Sequence, residues 1–329
     1  MCKGGAGALR LGPRKSKSMA AGEGARPIHS SGFRITAMRP VFEWQIGSRV
    51  LQLGKRTLIM GVVNVTPDSF SDSGVNFDRD RAVEYALKLL QDGADIIDVG
   101  GESTRPGAKV FSAGNSVSEK EELERVIPVI SAVKQKNPQV IVSVDTYKAG
   151  VARTAVAAGA EIVNDVSGFL WDPQMRKTLA ELKCGAVMMH MRGRPHEWKT
   201  LPPLSDVVTV VKRELRERAD AAVIAGMKRE RMMIDPGFGF GKNREENYPL
   251  LRRLEEFHQL HFPLLVGVSR KSFIGRALAH NGTDAAIADR LFGTLAAETV
   301  AIMKGAHVIR THDVRACADA VRIADLAAT

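Results

Sequence analysis

Polar and charged residues recur directly after short apolar runs along this chain, and their types are those that bind and transform small molecules. The clearest case is the stretch from Asp98 to Gly107, in which two glycines, a carboxylate, two hydroxyls, an arginine and a proline follow an apolar run that ends at Val99. An apolar run bounded by glycines is typical of a strand covered on both faces. Because the same change recurs after seven other runs, the sequence indicates an enzyme.

Three of these residues are short hydrogen-bond acceptors, namely Asp145, Asn164 and Asp235. Each could instead cap the helix that follows it, which is a common role for Asp and Asn. Together they could point inward and bind a flat heterocycle that presents several N–H donors. A buried carboxylate would also stabilise positive charge on such a ring, because a low dielectric strengthens the interaction.

A second group of residues is suited to phosphate. Lys271 and Ser272 open the helix after the seventh predicted strand, and Arg310 and His312 lie two residues apart at the end of the eighth, where an extended chain points both to one side. Barrel enzymes often hold phosphate at these two loops. A single histidine at such a position could equally be structural. Asn64 offers a neutral oxygen suited to Mg2+, which keeps waters and substrate phosphates among its ligands.

Two loops and one histidine with apolar neighbours add further candidates. Arg105, followed by Pro106 and a glycine, could place a cation over an anionic substrate from a mobile loop, although an arginine at a loop tip is usually only solvated. The stretch from Gly237 to Lys242 lacks the GxxxxGK[ST] pattern of a phosphate loop. We expect a flexible aromatic loop that closes over a planar ligand, or else a plain strand-to-helix turn. His190 has apolar neighbours and is expected to be a hydrogen-bonded wall residue.

The elements that must position these groups alternate along the chain. Strands are predicted at 58–64, 95–99, 140–145, 161–164, 186–190, 232–235, 264–268 and 306–310, and helices at 79–92, 119–135, 147–158, 173–183, 205–225, 246–258, 284–304 and after Asp313. Parallel strands joined by right-handed helical crossovers indicate an α/β fold. The simplest such fold with eight strands and eight helices is the (β/α)8 TIM barrel, and an open doubly wound sheet is the alternative. A β-hairpin from Phe42 to Leu53 is expected to close the bottom of the barrel. The charged run from Lys212 to Arg218 predicts a solvated helix face.

Charge divides the chain into two parts. Residues 1–40 contain eight Lys or Arg and one acid, Glu23, whereas the remainder is nearly balanced. This basic segment is rich in Gly, Ala and Ser, so we expect a disordered extension, with a misplaced start codon as one explanation, and a single barrel domain at 41–329. The cysteines Cys2, Cys184 and Cys317 lack CxxC spacing, which indicates reduced thiols in the cytoplasm and no zinc site. No apolar run reaches the roughly eighteen residues of a membrane span.

Eight segments resemble, in order, the motifs of the dihydropteroate synthase family, the folate-pathway enzymes that are the sulfonamide target. The resemblance extends from about Phe42 to the C-terminus, and so many matches in the same order make it specific. The matching segments are Gly61 to Asp72, Asp98 to Gly107, Asp145-Thr146, Asn164-Asp165-Val166, Met189-His190-Met191, Asp235 to Asn243, Ser269 to Ser272 and Arg310 to Asp313. The chain differs from the family pattern at Ser73, where glycine is common, and in a long segment at 108–118.

The resemblance implies an enzyme that condenses 6-hydroxymethyl-7,8-dihydropterin diphosphate with 4-aminobenzoate, giving 7,8-dihydropteroate and pyrophosphate with Mg2+ as cofactor. A cytoplasmic homodimer is also expected. Carried over residue by residue, the resemblance assigns catalysis to Asp145, Lys271 and Arg105, and Mg2+ binding to Asn64. The pterin is assigned to Asp145, Asn164, Asp235 and Lys271, with Phe240 and Met189 as walls. The diphosphate is assigned to Arg310 and His312. The aminobenzoate is assigned to Thr104, Arg105, Pro106, Lys271, Ser272 and Phe70.

Three alternative functions remain open at this point. A pterin-dependent methyltransferase domain shares the barrel and an Asn/Asp pterin site, but it has no use for basic residues that bind diphosphate. A catalytically silent, pterin-binding paralogue would keep the fold without the activity. The basic extension could bind nucleic acid, and such binding would depend strongly on salt and vanish when residues 1–37 are deleted. We expect no nucleic-acid partner, because the rest of the chain is close to balanced.

Overall fold

The computed structural model of the protein describes Met1 and residues 39–66, 75–102 and 117–328. All described residues except Met1 belong to one compact unit, which extends from Thr36 to Thr329. The predicted basic extension before residue 39 lies outside the described residues.

Eight parallel strands form the centre of this unit. They are β3 (Leu58–Asn64), β4 (Ile96–Gly100), β5 (Ile141–Asp145), β6 (Ile162–Asp165), β7 (Gly185–Met189), β8 (Met232–Asp235), β9 (Leu265–Val266) and β10 (Val308–Thr311). Their order in the sheet is β8-β7-β6-β5-β4-β3-β10-β9. A parallel bridge between Ile234 and Leu264 joins the two ends, so the sheet closes. The predicted TIM barrel is therefore confirmed, and the open sheet is excluded.

Helices connect these strands and surround them. In the described parts of the chain they are α1 (Val75–Gln91), α2 (Glu119–Lys136), α3 (Ala149–Ala157), α4 (Met175–Leu182), α5 (Val207–Ile224), α6 (Asn247–Arg252), α7 (Ser272–Ala277), α8 (Leu291–Met303) and α9 (Val314–Ala328). Some of their caps are visible in the sequence: the side chain of Asp206, for example, accepts hydrogen bonds from the first turn of α5. Within the described ranges we find no helix with the length and apolar character that a bilayer crossing requires.

Alternate residues of the strands enter two separate apolar clusters. Ile59, Ile97 and Val163 belong to the cluster that also includes the helices, whereas Met60, Ile96 and others belong to a second cluster inside the barrel. Successive side chains of a strand point to opposite faces. On each strand, the residues two or four positions after a member of the second cluster therefore also point into the barrel. They lie near the carboxyl ends of the strands. These positions are mostly polar, and they include Asn64, Asp98, Asp145, Asn164, Asp235 and Arg310.

The predicted hairpin closes the opposite end of the barrel. Its strands β1 (Phe42–Ile46) and β2 (Arg49–Leu53) pair antiparallel. Trp44 is 1% exposed and donates from its indole nitrogen to the carbonyl of Arg231 at 2.9 Å. A Cβ atom on Gly185 would lie 2.4 Å from the side chain of Ile46, so only glycine fits where the hairpin approaches β7. The hairpin thus supplies the apolar floor beneath the polar interior.

We predict that Trp44→Ala lowers the free energy of unfolding by about 3–5 kcal/mol, because it removes a large buried side chain and leaves a cavity. Denaturant unfolding followed by circular dichroism measures this change. Val50→Ala is the matched control, because Val50 lies on the same hairpin and is 50% exposed. Its expected cost is within about 0.5 kcal/mol. Equal losses in the two variants would show that the hairpin does not support the barrel through Trp44.

The structure corrects four local predictions. The seventh barrel strand is much shorter than 264–268, because the backbone leaves the sheet after Val266 and reaches a left-handed conformation at Arg270. The helix predicted at 246–258 becomes a 3₁₀ turn after Arg253, and that predicted at 284–304 begins as one. The charged run at 212–218 is only partly solvated, because Arg218 turns inward and is 9% exposed.

Candidate functional site

The three predicted acceptors come together at the carboxyl end of the barrel. Asp145 and Asn164 are paired in register between β5 and β6, and Met189 is paired with Asp235 between β7 and β8. All four residues are at most 7% exposed. They occupy inward positions of neighbouring strands, so the helix-capping alternative does not describe Asp145 or Asn164. Asp235 accepts a hydrogen bond from the amide of Gly237 at 2.7 Å and so also fixes the following turn.

Arg310 joins two of the carboxylates across the barrel. Its Nε donates to Asp98 Oδ2 at 2.7 Å, and one of its terminal nitrogens donates to Asp145 Oδ2, also at 2.7 Å. The side-chain amide of Asn164 donates to the same oxygen of Asp98 at 3.2 Å. A single hydrogen-bonded network therefore connects β4, β5, β6 and β10. These contacts join residues as much as 212 positions apart in sequence.

Burial shifts the acidity of this network. Burial raises the pKa of Asp145, and the guanidinium of Arg310 opposes that rise. The guanidinium is adjacent at hydrogen-bond distance, so we assign Asp145 as the carboxylate partner of an ion pair. Burial also raises the pKa of Asp235, to about 6, against the hydrogen bond from Gly237 and the positive charges of Lys271, Lys242 and Arg310. Both groups can thus be anionic at neutral pH while they remain sensitive to nearby charge.

A cavity of about 280 Å³ opens beside this network. It brings together the residues predicted from the sequence to hold phosphate and two of those predicted to contact the second substrate. Its walls include Asn64, Phe240, Lys271, Ser272, Arg310 and His312. Nδ1 of His312 is hydrogen-bonded to the hydroxyl of Ser269, with 3.0 Å between the two atoms. The backbone amide of His312 donates to the same hydroxyl at 3.2 Å. Arg310 and His312 therefore face the same space as Lys271.

One wall of the cavity is aromatic and apolar. The ammonium of Lys271 lies 3.9 Å from the centre of the Phe240 ring, which is a favourable cation–π distance. Trp198 packs edge-on against the same ring, with 5.7 Å between the ring centres. Phe240 and Met189 belong to one small apolar cluster at this end of the barrel. A flat ring bound between the acceptors and this wall would contact both polar edges and apolar faces.

The loop from Gly237 to Lys242 is tied to the barrel, which corrects the prediction of a flexible loop. The ammonium of Lys242 is buried and donates to the carbonyls of His190, Gly237 and Phe240 at 3.2, 2.7 and 3.1 Å. Burial lowers the pKa of Lys242 to about 7, while the three carbonyls match the three N–H groups of the charged form. Gly237 has φ +69°, and a Cβ there would lie 1.9 Å from the carbonyl of His190. The loop is therefore a fixed support for Phe240.

We predict that Lys242→Met lowers the free energy of unfolding by about 2–3 kcal/mol, because three buried carbonyls lose their donor. Thermal or denaturant unfolding at pH 6.5 measures this loss. Lys228→Met serves as the control, since Lys228 is exposed next to the turn before β8, and we expect it to change stability by no more than about 0.5 kcal/mol. If both variants unfold like the parent protein, Lys242 does not hold the loop.

His190 is a hydrogen-bonded wall residue, as expected. It is fully buried, and its Nε2 lies 3.0 Å from a carboxylate oxygen of Glu214. Burial lowers the pKa of His190 well below its ordinary value, so the neutral ring donates to Glu214, which can only accept. The same oxygen of Glu214 accepts from Arg218, whose guanidinium also reaches the carbonyl of Met191 at 2.9 Å. This network explains why Arg218 turns inward.

Four predicted site residues cannot be compared with the structure. Phe70, Thr104, Arg105 and Pro106 lie outside the described residues, as do Ser73 and most of the segment at 108–118. Their predicted contacts with a substrate remain predictions.

Sequence reasoning overlooked several residues of this site. Asp98 was identified only as part of a motif, yet it contacts both Asn164 and Arg310. Its position two residues after the apolar interior residue Ile96 was the available signal. Arg290 also lines the cavity and donates to the carbonyl of Arg270 at 2.9 Å. No local pattern marks that residue, because it precedes α8 within a 3₁₀ turn.

Comparison with known proteins gives this arrangement a family context. The sequence matches the pterin binding enzyme family over residues 60–312. It is 42% identical over 280 residues to a protein of Synechocystis named dihydropteroate synthase. The aligned region covers 85% of this chain and 93% of the relative.

Two solved structures give the same result for the fold. One is the dihydropteroate synthase of Xanthomonas albilineans with 4-aminobenzoic acid, which is 41% identical with a TM-score of 0.77 and covers 87% of this chain and 98% of that one. The other is the enzyme of the same organism in complex with 7,8-dihydropteroate, at 39% identity and a TM-score of 0.75, with 88% and 98% covered.

Proposed function

The chain belongs to the family of pterin-binding enzymes, and from this premise we propose that it is a dihydropteroate synthase. The reaction condenses 6-hydroxymethyl-7,8-dihydropterin diphosphate with 4-aminobenzoate to give 7,8-dihydropteroate and pyrophosphate. The observation that supports this assignment most strongly is the network of Asp145, Asn164 and Arg310 beside a cavity lined by Lys271 and His312. The relative solved with 4-aminobenzoic acid and with 7,8-dihydropteroate supports the same second substrate and the same product.

The pterin ring binds among the inward acceptors. Its N–H groups are donors, and Asp145, Asn164 and Asp235 offer oxygens from β5, β6 and β8 at the same end of the barrel. Phe240 and Met189 provide the apolar contact for the ring faces, and Lys271 lies against Phe240. The fixed loop from Gly237 to Lys242 favours binding, because a wall that is already ordered loses little conformational entropy when the ligand arrives.

The diphosphate binds at the basic side of the cavity. Arg310 and His312 share this side with the hydroxyl of Ser269. The guanidinium and the imidazole can both donate to phosphate oxygens, and Arg is especially suited to do so through two nitrogens. A pterin-dependent methyltransferase would have no use for these basic groups, which disfavours that alternative.

The aminobenzoate binds on the solvent side of the pterin. Lys271 and Ser272 line the cavity there, and Phe70, Thr104, Arg105 and Pro106 are the further contacts that the family resemblance suggests. A lysine and an arginine together suit the carboxylate of this substrate.

The reaction breaks one C–O bond and forms one C–N bond. When the bond between the exocyclic methylene carbon and the diphosphate breaks, its electron pair leaves with the diphosphate oxygen, and Arg310 and His312 stabilise that charge. The methylene carbon becomes cationic and conjugated with the pterin, and the carboxylate of Asp145 stabilises it. The amine nitrogen of 4-aminobenzoate then supplies the electron pair of the new bond, and its extra proton passes to water. No strong general base is needed.

Mg2+ is a suitable cofactor for this site. Among the described residues, no group of three His, Cys, Asp or Glu side chains could hold a metal without other ligands. Asn64 lies at the end of β3, lines the cavity and offers a neutral amide oxygen. Mg2+ typically accepts a few protein oxygens and keeps waters and substrate phosphates as its other ligands. When bound, the ion would neutralise charge on the diphosphate, with Asn64 as a protein ligand.

We further propose that the protein acts as a homodimer in the cytoplasm. Exposed apolar side chains on α8 and α9 support self-association: Phe292 is 82% exposed, and Ile323 and Leu326 are each 68% exposed. The helices α8 and α9 pack against each other, and an exposed apolar patch often marks a site of protein association. The two described cysteines are free thiols, which supports a reducing compartment. Sedimentation equilibrium tests the dimer, and a monomer at micromolar concentration would contradict it.

Pyrophosphate release tests the activity. The purified full chain is mixed with the pterin diphosphate, Mg2+ and 4-aminobenzoate, and the amine is omitted from the control mixture. We expect release that depends on the amine and product with the mass of 7,8-dihydropteroate. If neither mixture releases pyrophosphate while the pterin diphosphate still binds, the protein is instead a silent pterin-binding paralogue.

A further inference from the structure

We infer that Asp98 is a positioning residue of this site: its carboxylate fixes the amide of Asn164 with the oxygen toward the pterin, and it orients the guanidinium of Arg310 toward the diphosphate. This inference rests on the proposed function, because it concerns how the same pocket recognises its ring.

Asp98 occupies the centre of the barrel interior. It lies on β4, is 0% exposed, and is in register with Val62 on one side and Ser143 on the other. An isolated buried carboxylate is strongly unfavourable unless hydrogen bonds and an opposite charge compensate it. Both compensations are present, from Asn164 and Arg310. Among the described residues, its second oxygen has no hydrogen-bond partner. One oxygen alone therefore receives both donors.

The contact with Asn164 determines what that amide offers to a ligand. A carboxylate only accepts hydrogen bonds, so the NH2 end of Asn164 must face Asp98. The carbonyl oxygen of Asn164 then points away from Asp98. Without this constraint the amide could turn by 180° and present a donor to the N–H groups of the ring, which would repel it. Asp98 thus specifies that the pocket accepts hydrogen bonds from the ring at this position.

The contact with Arg310 restricts the guanidinium in a similar way. The contacts from Nε to Asp98 and from a terminal nitrogen to Asp145 use two of its five N–H groups. With one edge fixed between two carboxylates, the side chain contributes its remaining surface to the cavity wall. An arginine fixed in advance loses less entropy when it binds phosphate.

A purely electrostatic role is the competing explanation. Asp98 could serve only as a counter-charge for Arg310, in which case the amide of Asn164 would find its orientation without it. Substitutions at Asp98 separate the two roles. Asp98→Asn keeps an oxygen that can accept both donors but removes the charge, whereas Asp98→Ala removes the acceptor as well.

The test measures the dissociation constant of 6-hydroxymethylpterin, which lacks the diphosphate, by calorimetry with the full chain. We expect Asp98→Asn to bind within about threefold of the parent protein and Asp98→Ala to bind at least about tenfold more weakly, the loss equivalent to one hydrogen bond of about 1.4 kcal/mol. Asp98→Ser is a second disruptive variant should Asp98→Ala fold poorly, because a hydroxyl can donate or accept and so does not fix the amide.

A rescue experiment completes the test. Adding Asn164→Asp to Asp98→Ala places oxygens at both ends of residue 164, so its orientation no longer matters, and it preserves the net charge of the pocket. We expect the double variant to recover at least about fivefold in affinity over Asp98→Ala, a gain of about 1 kcal/mol. Failure of this rescue, or equal losses in Asp98→Asn and Asp98→Ala, would overturn the positioning role while the proposed function stands. If the parent protein does not bind the pterin, both proposals fail.

Discussion

Asp145→Asn should slow the release of pyrophosphate by a factor of about 10²–10³, the usual cost of losing one preorganised charge-stabilising group, while the affinity for the pterin diphosphate changes by less than about fivefold. The carboxylate of Asp145 is buried and ion-paired with Arg310. An asparagine keeps a hydrogen-bond acceptor of the same size for the ground state of the ring. Only the negative charge is lost, and that charge matters most when the methylene carbon becomes cationic.

Single-turnover measurements separate these two effects. The rate of pyrophosphate release at saturating substrate reports bond breaking, and calorimetry with the pterin diphosphate reports binding.

Asp165→Asn is the matched control. Asp165 is also a fully buried aspartate, at the end of the neighbouring strand, and burial likewise raises its pKa, to about 7. It accepts from the amides of Ser167 and Phe169 and so fixes a turn. Losses of equal size in rate and affinity for Asp145→Asn would contradict the proposed role.

Arg310→Gln should reduce kcat/KM for the pterin diphosphate by about 10³-fold, because a cation that stabilises the leaving group is lost. A second consequence concerns pH. The guanidinium lowers the pKa of Asp145 against the effect of burial, so its removal raises that pKa and leaves more of the carboxyl protonated at neutral pH. The acid limb of the pH–rate profile should therefore move to higher pH, and part of the lost activity should return as the pH increases.

The measurement for Arg310→Gln is kcat/KM between pH 5.5 and 9 on protein shown to be folded by circular dichroism. Arg153→Gln is the control, because Arg153 is ion-paired with Glu181 on the surface and is 46% exposed. We expect its profile to match that of the parent protein. If Arg310→Gln loses activity equally at every pH, Arg310 does not control the ionisation of Asp145.

The fold was largely predictable because its signals are local. Buried strands of a parallel sheet form apolar runs of a few residues, and helices between them show their own period, so the alternation was visible in the sequence. The hairpin was visible for the same reason. The short strand at Leu265–Val266 was not, because Gly267 and Val268 continue the apolar run although the backbone has already left the sheet.

The sequence predicted which residues belong to the site better than it predicted which of them contact each other. Asn64, Asp145, Asn164 and Arg310 could be identified by their position after apolar runs. The contacts of Asp98 with Asn164 and Arg310 become visible only when β4 is placed between β6 and β10 in the barrel. The role of Lys242 in fixing its loop could not be predicted, for a similar reason. Its carbonyl partners include that of His190, 52 residues away, and no local pattern reveals such a contact. Long-range hydrogen bonds of this kind depend on tertiary geometry.

The most direct test of the central claim is a crystal structure of the protein with 7,8-dihydropteroate. We predict that the pterin ring lies within hydrogen-bond distance, about 3 Å, of Asp145, Asn164 and Asp235, with the face of the ring against Phe240. A ring bound away from these three side chains, or on a different surface of the barrel, would contradict the account.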